Sequence, residues 1–250
     1  MTIRLLPLAV LCALLALPAC GGTPAKPAAP ATILMVVTSH DQIEAGDPTG
    51  LWLEEFAIPY ARFLAAGYAV TVASPKGGKA PIDPRSLGED AKPDPEALAA
   101  LAKTVPLDGL DLDGYVAVFF PGGHGTMFDL PTSAVVQAAV AHFVAEDQPA
   151  AFVCHGPAAL VGATLPDGSS VVKGRKLTGF TDAEEHAVKL ADKMPFMLEA
   201  RLRELGAEFA GAENWQEHVV VDGNLITGQN PASSGKAAEA LLARLQAAAK

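Results

Sequence analysis

The most reactive side chain of the sequence stands between an apolar run and a turn. Cys154 and His155 follow the run 150–153 and precede Gly156-Pro157. A nucleophile between the end of a strand and the first turn of a helix is held at a sharp bend, where the helix N-terminus stabilises negative charge. This position favours the thiolate, which is the nucleophilic form of cysteine. The pattern predicts a catalytic thiol with a lowered pKa, and a buried, inert core cysteine is the alternative.

A second turn whose residues could take part in a reaction follows the apolar run 115–120. It reads Pro-Gly-Gly-His-Gly over 121–125. Glycine lets the main chain approach a ligand closely and aim N–H groups at it. Ligands of open α/β sheets bind at the carboxyl ends of the strands, so we expect this turn and Cys154 to share one site. A plain tight turn is the alternative.

Strands and helices alternate along most of the chain, and short apolar runs rich in β-branched residues predict strands buried on both faces of a sheet. We expect strands over 32–38, 68–73, 115–120, 150–153 and 176–178, a hairpin of 218–221 and 225–227, and helices over 54–66, 135–146, 196–205 and 237–248. The stretch 75–95 is rich in Gly, Pro and charge, which predicts a long loop. The alternation predicts an α/β fold, a doubly wound and mostly parallel sheet sandwiched by helices.

Composition narrows the classes of protein that remain. Half of the 250 residues are hydrophobic and 18% are charged, which excludes a disordered chain and allows a sizeable core. Acidic residues outnumber basic ones by 28 to 18, giving a formal net charge of −10. This charge argues against a nucleic-acid partner, since such proteins normally carry a basic face. The three cysteines cannot form a disulfide framework.

The N-terminal residues predict an export signal. Arg4 precedes the apolar stretch 5–17, which has the length of a signal-peptide core and is too short to span a bilayer. The run Leu-Pro-Ala-Cys at 17–20 resembles a lipobox, in which the cysteine carries the lipid after cleavage. An ordinary secretory signal cut near Ala19 is the alternative.

The lipobox interpretation divides the chain into three parts. We expect a lipoprotein signal peptide over 1–19, a flexible Gly-, Pro- and Ala-rich tether over 20–31 that begins at lipidated Cys20, and one domain over 32–250. Processing would leave Cys154 as the only free thiol. The expected location is the cell envelope, lipid-anchored on the periplasmic face of the outer membrane, because glycine rather than the retaining aspartate follows the lipidated cysteine.

Five segments together resemble one family. The run Val-Cys-His-Gly-Pro-Ala-Ala-Leu at 153–160 resembles the nucleophile elbow of the PfpI/ThiJ superfamily. Segments 49–55, 121–125, 178–185 and 222–234 resemble its other motifs, in the family's order. The most similar branch is the heat-shock chaperone and glyoxalase III group. The resemblance covers nearly the whole mature chain and implies a flavodoxin-like, class I glutamine amidotransferase-like fold.

The resemblance also implies catalytic roles. Cys154 would be the nucleophile, and Glu55 would exchange protons with the thiol or the substrate. His155 would act as an acid/base group oriented by Glu185. Glu54 is assigned to solvent, because adjacent side chains of a helix point in different directions.

A further set of residues would bind the substrate oxygen. Gly122, Gly123 and His124 are the predicted oxyanion and substrate-binding residues, and the resemblance gives the oxyanion N–H groups to Gly123 and His155. His124 would line the pocket or only cap its turn.

No cofactor and no metal are expected. The cluster Glu-Glu-His at 184–186 lacks the spacing of a zinc site. Trp52 and Trp215 are assigned to core packing by default, and lining of the cleft is the alternative. The histidines without a partner motif are assigned to structural or surface positions: His40, His142 and His218.

Three functions remain open. The resemblance implies a cofactor-free glyoxalase III-type lyase that converts methylglyoxal to lactate, or acts as a deglycase, with a small aldehyde as substrate and a homodimer as one possible assembly. A stress-response chaperone or redox-sensing thiol protein is the second alternative. A cysteine amidase or peptidase is the third, although His218 is followed by valine rather than the acidic residue of a glutaminase.

Overall fold

The computed structural model describes residues 30–88 and 94–248. The expected leader over 1–19, the lipid-bearing Cys20 and nearly all of the tether lie outside these residues. Their interpretation stays a prediction, as does the homodimer, since one chain is described.

The described chain alternates strands and helices from Thr32 to its last helix. The strands are β1 Thr32–Val36, β2 Gln42–Glu44, β3 Asp47–Pro48, β4 Ala69–Ser74, β5 Val105–Pro106, β6 Tyr115–Phe120, β7 Ala150–Val153, β8 Lys176–Leu177, β9 Glu208–Phe209, β10 Val219–Asp222 and β11 Leu225–Gly228. The α-helices are α1 Leu53–Ala65, α2 Pro95–Leu101, α3 Thr126–Asp129, α4 Ala134–Ala145, α5 Asp182–Ala187, α6 Leu198–Glu204 and α7 Ser234–Ala248.

Seven of these strands form one central sheet. Their order is β10-β11-β7-β6-β1-β4-β5, and every neighbouring pair is parallel except the β10–β11 hairpin. Successive residues Ile33, Leu34, Met35 and Val36 of β1 are all fully buried, so both faces of the sheet are covered. The predicted doubly wound, mostly parallel sheet is confirmed. The two candidate turns lie at the carboxyl edge of this sheet, directly after β6 and β7.

Local differences from the sequence-based expectations have local causes. β1 ends at Val36 rather than at residue 38, and the Thr38 hydroxyl instead donates to Oδ1 of Asp129 at 2.8 Å. The expected strand over 176–178 exists as β8, but it pairs with β9 in a separate two-stranded sheet. The expected loop 75–95 contains the 3-10 helix Pro84–Ser86 in its described part.

Within the two described ranges, no single helix is long and apolar enough to cross a bilayer. Only the segments Thr126–Thr132 and Ala134–Ala145 reach that length together, across a bend of 73°. In the second of them, Val136, Val140 and Phe143 are fully buried in the protein core.

Candidate active site

The nucleophile elbow is formed by Cys154 at the end of β7. Its φ is +59°, in the left-handed region that non-glycine residues rarely adopt. Two main-chain hydrogen bonds hold this conformation: the Cys154 N–H donates to the Gly228 carbonyl at 2.9 Å, and its carbonyl accepts from the Phe180 N–H at 2.8 Å. Backbone strain of this kind persists only where the surroundings enforce it, and it is frequent at active sites. The turn continues into the five-residue 3-10 helix Gly156–Leu160 rather than an α-helix.

The carboxyl group of Glu55 faces the thiol from α1. Glu55 is fully buried, its Oε2 accepts from the Gly122 N–H at 2.7 Å, and its carboxyl lies close enough to the Cys154 thiol for each group to shift the pKa of the other. Glu54 is exposed, so the register of α1 agrees with the sequence-based prediction. A β-carbon on Gly122 would lie 2.6 Å from the N atom of His155, which explains the glycine.

The role expected of Gly122 needs correction. Its N–H is committed to the Glu55 carboxyl and therefore holds the acid in place rather than a substrate oxygen. Gly123 lines the cavity next to the thiol, so its oxyanion role stays a prediction.

Burial determines the protonation states of the Glu55 carboxyl and the Cys154 thiol. Burial raises the pKa of Glu55 to about 8, although the hydrogen bonds from Cys154 and Gly122 act in the opposite direction. Burial, followed by the charge of Glu55, also raises the pKa of the Cys154 thiol above its ordinary value. The lowered thiol pKa expected from the strand-end position is wrong, because desolvation outweighs the N–H of His155 and no full α-helix follows. At neutral pH the pair therefore consists of a carboxylic acid and a thiol.

A base for this thiol is provided by His155. Nδ1 of His155 lies 3.4 Å from Sγ of Cys154, and its Nε2 lies 2.7 Å from Oε2 of Glu185. The second oxygen of Glu185 lies 3.0 Å from Nε2 of His124. Burial would raise the pKa of Glu185, but hydrogen bonds from the two imidazoles hold it well below its usual range. An ionised carboxylate only accepts, so both Nε2 atoms carry hydrogen and Nδ1 of His155 is left as an acceptor facing the thiol.

The surroundings of His155 keep its imidazole neutral. Burial, then the neighbouring His124, lower the pKa of His155, against the opposing effect of Glu185. The rings of His124 and Phe180 lie 4.3 and 4.4 Å from the His155 ring, which fixes its plane. A neutral, oriented imidazole beside a thiol can accept its proton, as in a nucleophile–base–carboxylate triad.

The carboxylate of this triad is positioned by a capping box at the start of α5. The Thr181 hydroxyl accepts from the Glu184 N–H at 3.1 Å, and Oε2 of Glu184 accepts from the Thr181 N–H at 3.1 Å. This reciprocal cap sets the register of the helix and turns the next side chain, Glu185, toward the imidazoles. The Thr-x-x-Glu pattern is visible in the sequence and is the signal that could have identified Glu184.

The candidate active site opens into a small apolar cavity of about 130 Å³. Its lining residues are Trp52, Gly123, His124, Cys154, His155, Phe180, Val188, Trp215 and Pro231. The assignment of Trp52 and Trp215 to core packing is wrong, because both line this cavity and Trp215 is 48% exposed. His124 lines the cavity as well as bonding to Glu185, beyond the turn-capping role considered for it. His40, His142 and His218 are absent from the described lining.

Residues 49–244 match the model of the DJ-1/PfpI family. The chain belongs to the DJ-1/PfpI family. The predicted PfpI/ThiJ resemblance is thereby confirmed, and every site residue above falls within the family match.

Relatives in the DJ-1/PfpI family align over most of the chain. One glutathione-independent glyoxalase of Schizosaccharomyces pombe is 33% identical over 215 residues, which are 79% of this chain and 88% of the relative. The solved structure of glyoxalase III from Candida albicans has a TM-score of 0.79 and 29% identity, covering 86% of this chain and 97% of that one. The 24 kDa rapid encystment protein of Francisella tularensis has a TM-score of 0.82 and 34% identity, covering 86% and 99%.

His124, His155 and Glu185 also form the one set of metal-type ligands found among the described residues, with ligand atoms within 4.8 Å of one another. Two ligands of a tetrahedral zinc ion with bonds of about 2.0–2.1 Å would lie about 3.3 Å apart. Nε2 of His155 and Oε2 of Glu185 lie at 2.7 Å, a distance that suits a shared proton better. The expectation that this protein needs no metal stays a prediction.

Glu55→Gln is expected to stabilise the protein at high pH. Burial raises the pKa of the folded Glu55 carboxyl to about 8 from an ordinary value of 4.5, so between these pH values the native state holds a proton that the unfolded chain has lost. The free energy of unfolding should therefore fall as pH rises through this window, by about 1.4 kcal/mol per pH unit. Glutamine does not titrate and keeps an oxygen for the Gly122 N–H.

Urea unfolding at pH 5 and pH 9 measures this effect. The difference in free energy of unfolding between Glu55→Gln and wild type should be about a few kcal/mol larger, in favour of the variant, at pH 9 than at pH 5. The exposed Glu54→Gln variant is the matched control and should show no such difference. An equal gain for Glu55→Gln at both pH values would show that the buried carboxyl titrates near its ordinary value.

Proposed function

We propose that the protein is a cofactor-free glyoxalase III-type lyase that converts methylglyoxal to lactate. The observation that carries the proposal is the chain of contacts Cys154–His155–Glu185, with the acid Glu55 on the same thiol, at the base of a small apolar cavity. Relatives named as glutathione-independent glyoxalases support the substrate class. A sulfur nucleophile from the protein replaces the thiol that glutathione would supply.

The first step is addition of the thiol to the aldehyde. Nδ1 of His155 accepts the thiol proton while sulfur forms a bond to the aldehyde carbon and the carbonyl electrons move to oxygen. Glu55 is protonated at neutral pH and lies on the same sulfur, so it is suited to protonate that oxygen. The product is a hemithioacetal, and Glu55 becomes a carboxylate.

The second step moves a proton between the two substrate carbons. The Glu55 carboxylate formed in the first step removes the hydrogen of the former aldehyde carbon and gives an enediolate, with the negative charge on the former ketone oxygen. Imidazolium His155 then protonates the neighbouring carbon, and the hydroxyl proton of the sulfur-bearing carbon moves to the former ketone oxygen, which gives a thioester of 2-hydroxypropanoate. Water then cleaves the carbon–sulfur bond, which releases lactate and restores the thiol, so the balance is methylglyoxal plus water to lactate.

Two alternatives are less well supported by the same site. Oxidation by peroxide requires a thiolate, whereas burial raises the pKa of the Cys154 thiol, which is only 3% exposed. A peptidase requires space for a chain, whereas the cavity of about 130 Å³ suits a small molecule. The deglycase activity is chemically closer, because it begins with the same attack on a carbonyl-derived carbon.

The test is lactate formation from methylglyoxal by the full chain in detergent, without glutathione or nicotinamide. In deuterium oxide, the proposed enediol predicts lactate that carries solvent deuterium on the hydroxyl-bearing carbon. Lactate without that label would indicate direct hydride migration. No lactate, combined with hydrolysis of amide or peptide substrates, would overturn the lyase in favour of the hydrolase.

We also propose that the protein is exported as a lipoprotein and anchored in the cell envelope, facing the periplasm from the outer membrane. Arg4, the apolar stretch 5–17 and the cysteine at the end of the lipobox-like run support this proposal. The Gly- and Pro-rich run between Cys20 and the first strand would act as the tether.

Metabolic labelling with palmitate is expected to mark the wild-type protein and to spare Cys20→Ala. The reason is that Cys20 would be the first residue after cleavage and the only acceptor of lipid. Cys12→Ala is the matched control and should keep the label, because Cys12 leaves with the leader. Equal labelling of wild type and Cys20→Ala would exclude Cys20 as the lipid-bearing residue.

A further inference from the structure

The segment between β9 and β10, residues 210–218, has no regular secondary structure and is held by buried polar side chains. We call it the wall loop. Oε1 of Gln229 accepts from the Ala212 N–H at 2.7 Å, and Nδ2 of Asn230 donates to the Gln216 carbonyl at 2.9 Å. Both side chains are fully buried. Burial of polar groups is unfavourable unless they are hydrogen-bonded, and here these bonds serve to fix an irregular loop.

Glu184 provides the third anchor of the wall loop. Its Oε1 accepts from the Trp215 N–H at 2.9 Å and from Nδ2 of Asn230 at 2.8 Å, while Oε2 closes the capping box of α5. Glu184 is fully buried, and no charged partner bonds to it among the described residues. Burying a carboxyl group that receives hydrogen bonds only from uncharged donors is unfavourable in free energy, which indicates that the position of this loop matters.

Trp215 occupies an unusual conformation on this loop. Its φ is +66°, which is strained for a bulky side chain, and nearly half of its surface is exposed. The indole lines the active-site cavity, with its ring centroid 6.0 Å from that of Phe180. Strain together with exposure of a large aromatic ring points to a binding role rather than to core stability.

The chemistry of the cavity wall defines what this ring can bind. No Lys, Arg, Asp or Glu is found among the described lining residues, and apart from the thiol and the two imidazoles the wall is hydrocarbon and aromatic. The apolar side of the cavity consists of Trp52, Phe180, Val188, Trp215 and Pro231. Such a wall stabilises an apolar substituent and leaves a hydroxylated or charged one without hydrogen-bond partners.

We infer that Trp215 is the specificity-determining residue of the site and receives an apolar, aromatic substituent on the ketone carbon of a 2-oxoaldehyde. The aldehyde carbon then faces Cys154, while the substituent packs against the indole on the cavity side, beside the Phe180 ring, whose centroid lies 6.0 Å from that of the indole. Aromatic rings pack favourably at such separations, beyond the effect of area alone. This inference rests on the proposed function, because it presupposes attack on an aldehyde by the thiol.

The test compares kcat/KM for phenylglyoxal and methylglyoxal in wild type, Trp215→Ala and Trp215→Phe. Trp215→Ala is expected to lower kcat/KM for phenylglyoxal by about tenfold or more, mainly through KM, and that for methylglyoxal by less than about threefold. Trp215→Phe should recover most of the phenylglyoxal activity. Val221→Ala is the matched control, because Val221 is an exposed apolar residue of β10 outside the cavity lining.

Several outcomes would overturn the inference. Equal losses for both substrates, or no recovery with Trp215→Phe, would mean that Trp215 only maintains the loop. Unchanged phenylglyoxal kinetics in Trp215→Ala would mean that the indole does not contact the substituent. Circular dichroism and Tm of each variant separate these results from misfolding.

A binding measurement separates this inference from the proposed function. Phenylglyoxal should quench the tryptophan fluorescence of Cys154→Ala saturably, and the added change Trp215→Phe should remove the part of that quenching that comes from Trp215 and leave the part from Trp52, which lines the same cavity. Saturable quenching without turnover in the wild type would contradict the lyase and keep the aromatic subsite. Turnover of methylglyoxal without any quenching would contradict the subsite and keep the lyase.

Discussion

Cys154→Ser is expected to lower kcat/KM for methylglyoxal by about 10³-fold or more. Serine places a hydroxyl group of nearly the same size on the same β-carbon, but the proton of a hydroxyl is far harder to remove than that of a thiol. Burial and His124 lower the pKa of His155, so its imidazole is a poorer base for a hydroxyl than for the more acidic thiol. Cys154→Ala should lose the activity equally, because both variants lack a competent nucleophile.

Initial rates of lactate formation measure this loss, and Tm confirms that the φ of +59° at this position is tolerated in each variant. The purified Cys20→Ala protein is the matched control, since it removes another cysteine and leaves the elbow intact. Activity of Cys154→Ser within about tenfold of wild type would place the chemistry on another residue.

Glu55→Gln is expected to reduce kcat by about 10²-fold, whereas Glu54→Gln should change it by less than about twofold. The two side chains are adjacent in α1, but only Glu55 is buried against the thiol with Oε2 on the Gly122 N–H. Glutamine preserves that hydrogen bond and cannot transfer a proton. The difference between the variants therefore reports proton transfer rather than packing.

The pH profile gives the second readout of the same pair. Glu55 acts first as an acid, so wild-type kcat/KM should fall as pH rises through about 8, where this carboxyl loses its proton. The residual activity of Glu55→Gln should lack that limb. A greater loss for Glu54→Gln, or an unchanged limb in Glu55→Gln, would show that the acid has been misassigned.

The parts of the site that could be predicted from the sequence are those that depend on short, local segments of the chain. The turn after β7 and the Gly-rich turn after β6 follow runs of buried strand residues, so the sheet topology brings them to one edge. The family resemblance implied Glu55, and helix geometry then assigned the adjacent Glu54 to solvent. The hairpin around Asp222-Gly223 followed from turn chemistry and is present as β10 and β11.

The parts that were missed depend on contacts between distant segments. The sequence does not show that Glu185 joins two imidazoles, one from each turn, because His124 is 61 residues away from it. The pKa of Cys154 was misjudged for a similar reason: a strand-end position is local, whereas the burial that dominates it comes from the whole assembled site. Core packing was the default for Trp215, since the sequence does not show the bond from its N–H to the distant Glu184 that accompanies its strained, exposed conformation.

The bond between Glu184 and residue 215 has an evolutionary consequence. Glu184 holds the main-chain N–H and not the indole, so a residue that tolerates the φ of +66° can replace Trp215 without losing this anchor, whereas proline has no N–H to donate. Its neighbour Glu185 meanwhile orients the catalytic imidazoles from the same short helix. If the proposed subsite at Trp215 holds, a single side chain can change which substituent the cavity accepts, while Glu184, Glu185 and the residues around the thiol stay as they are.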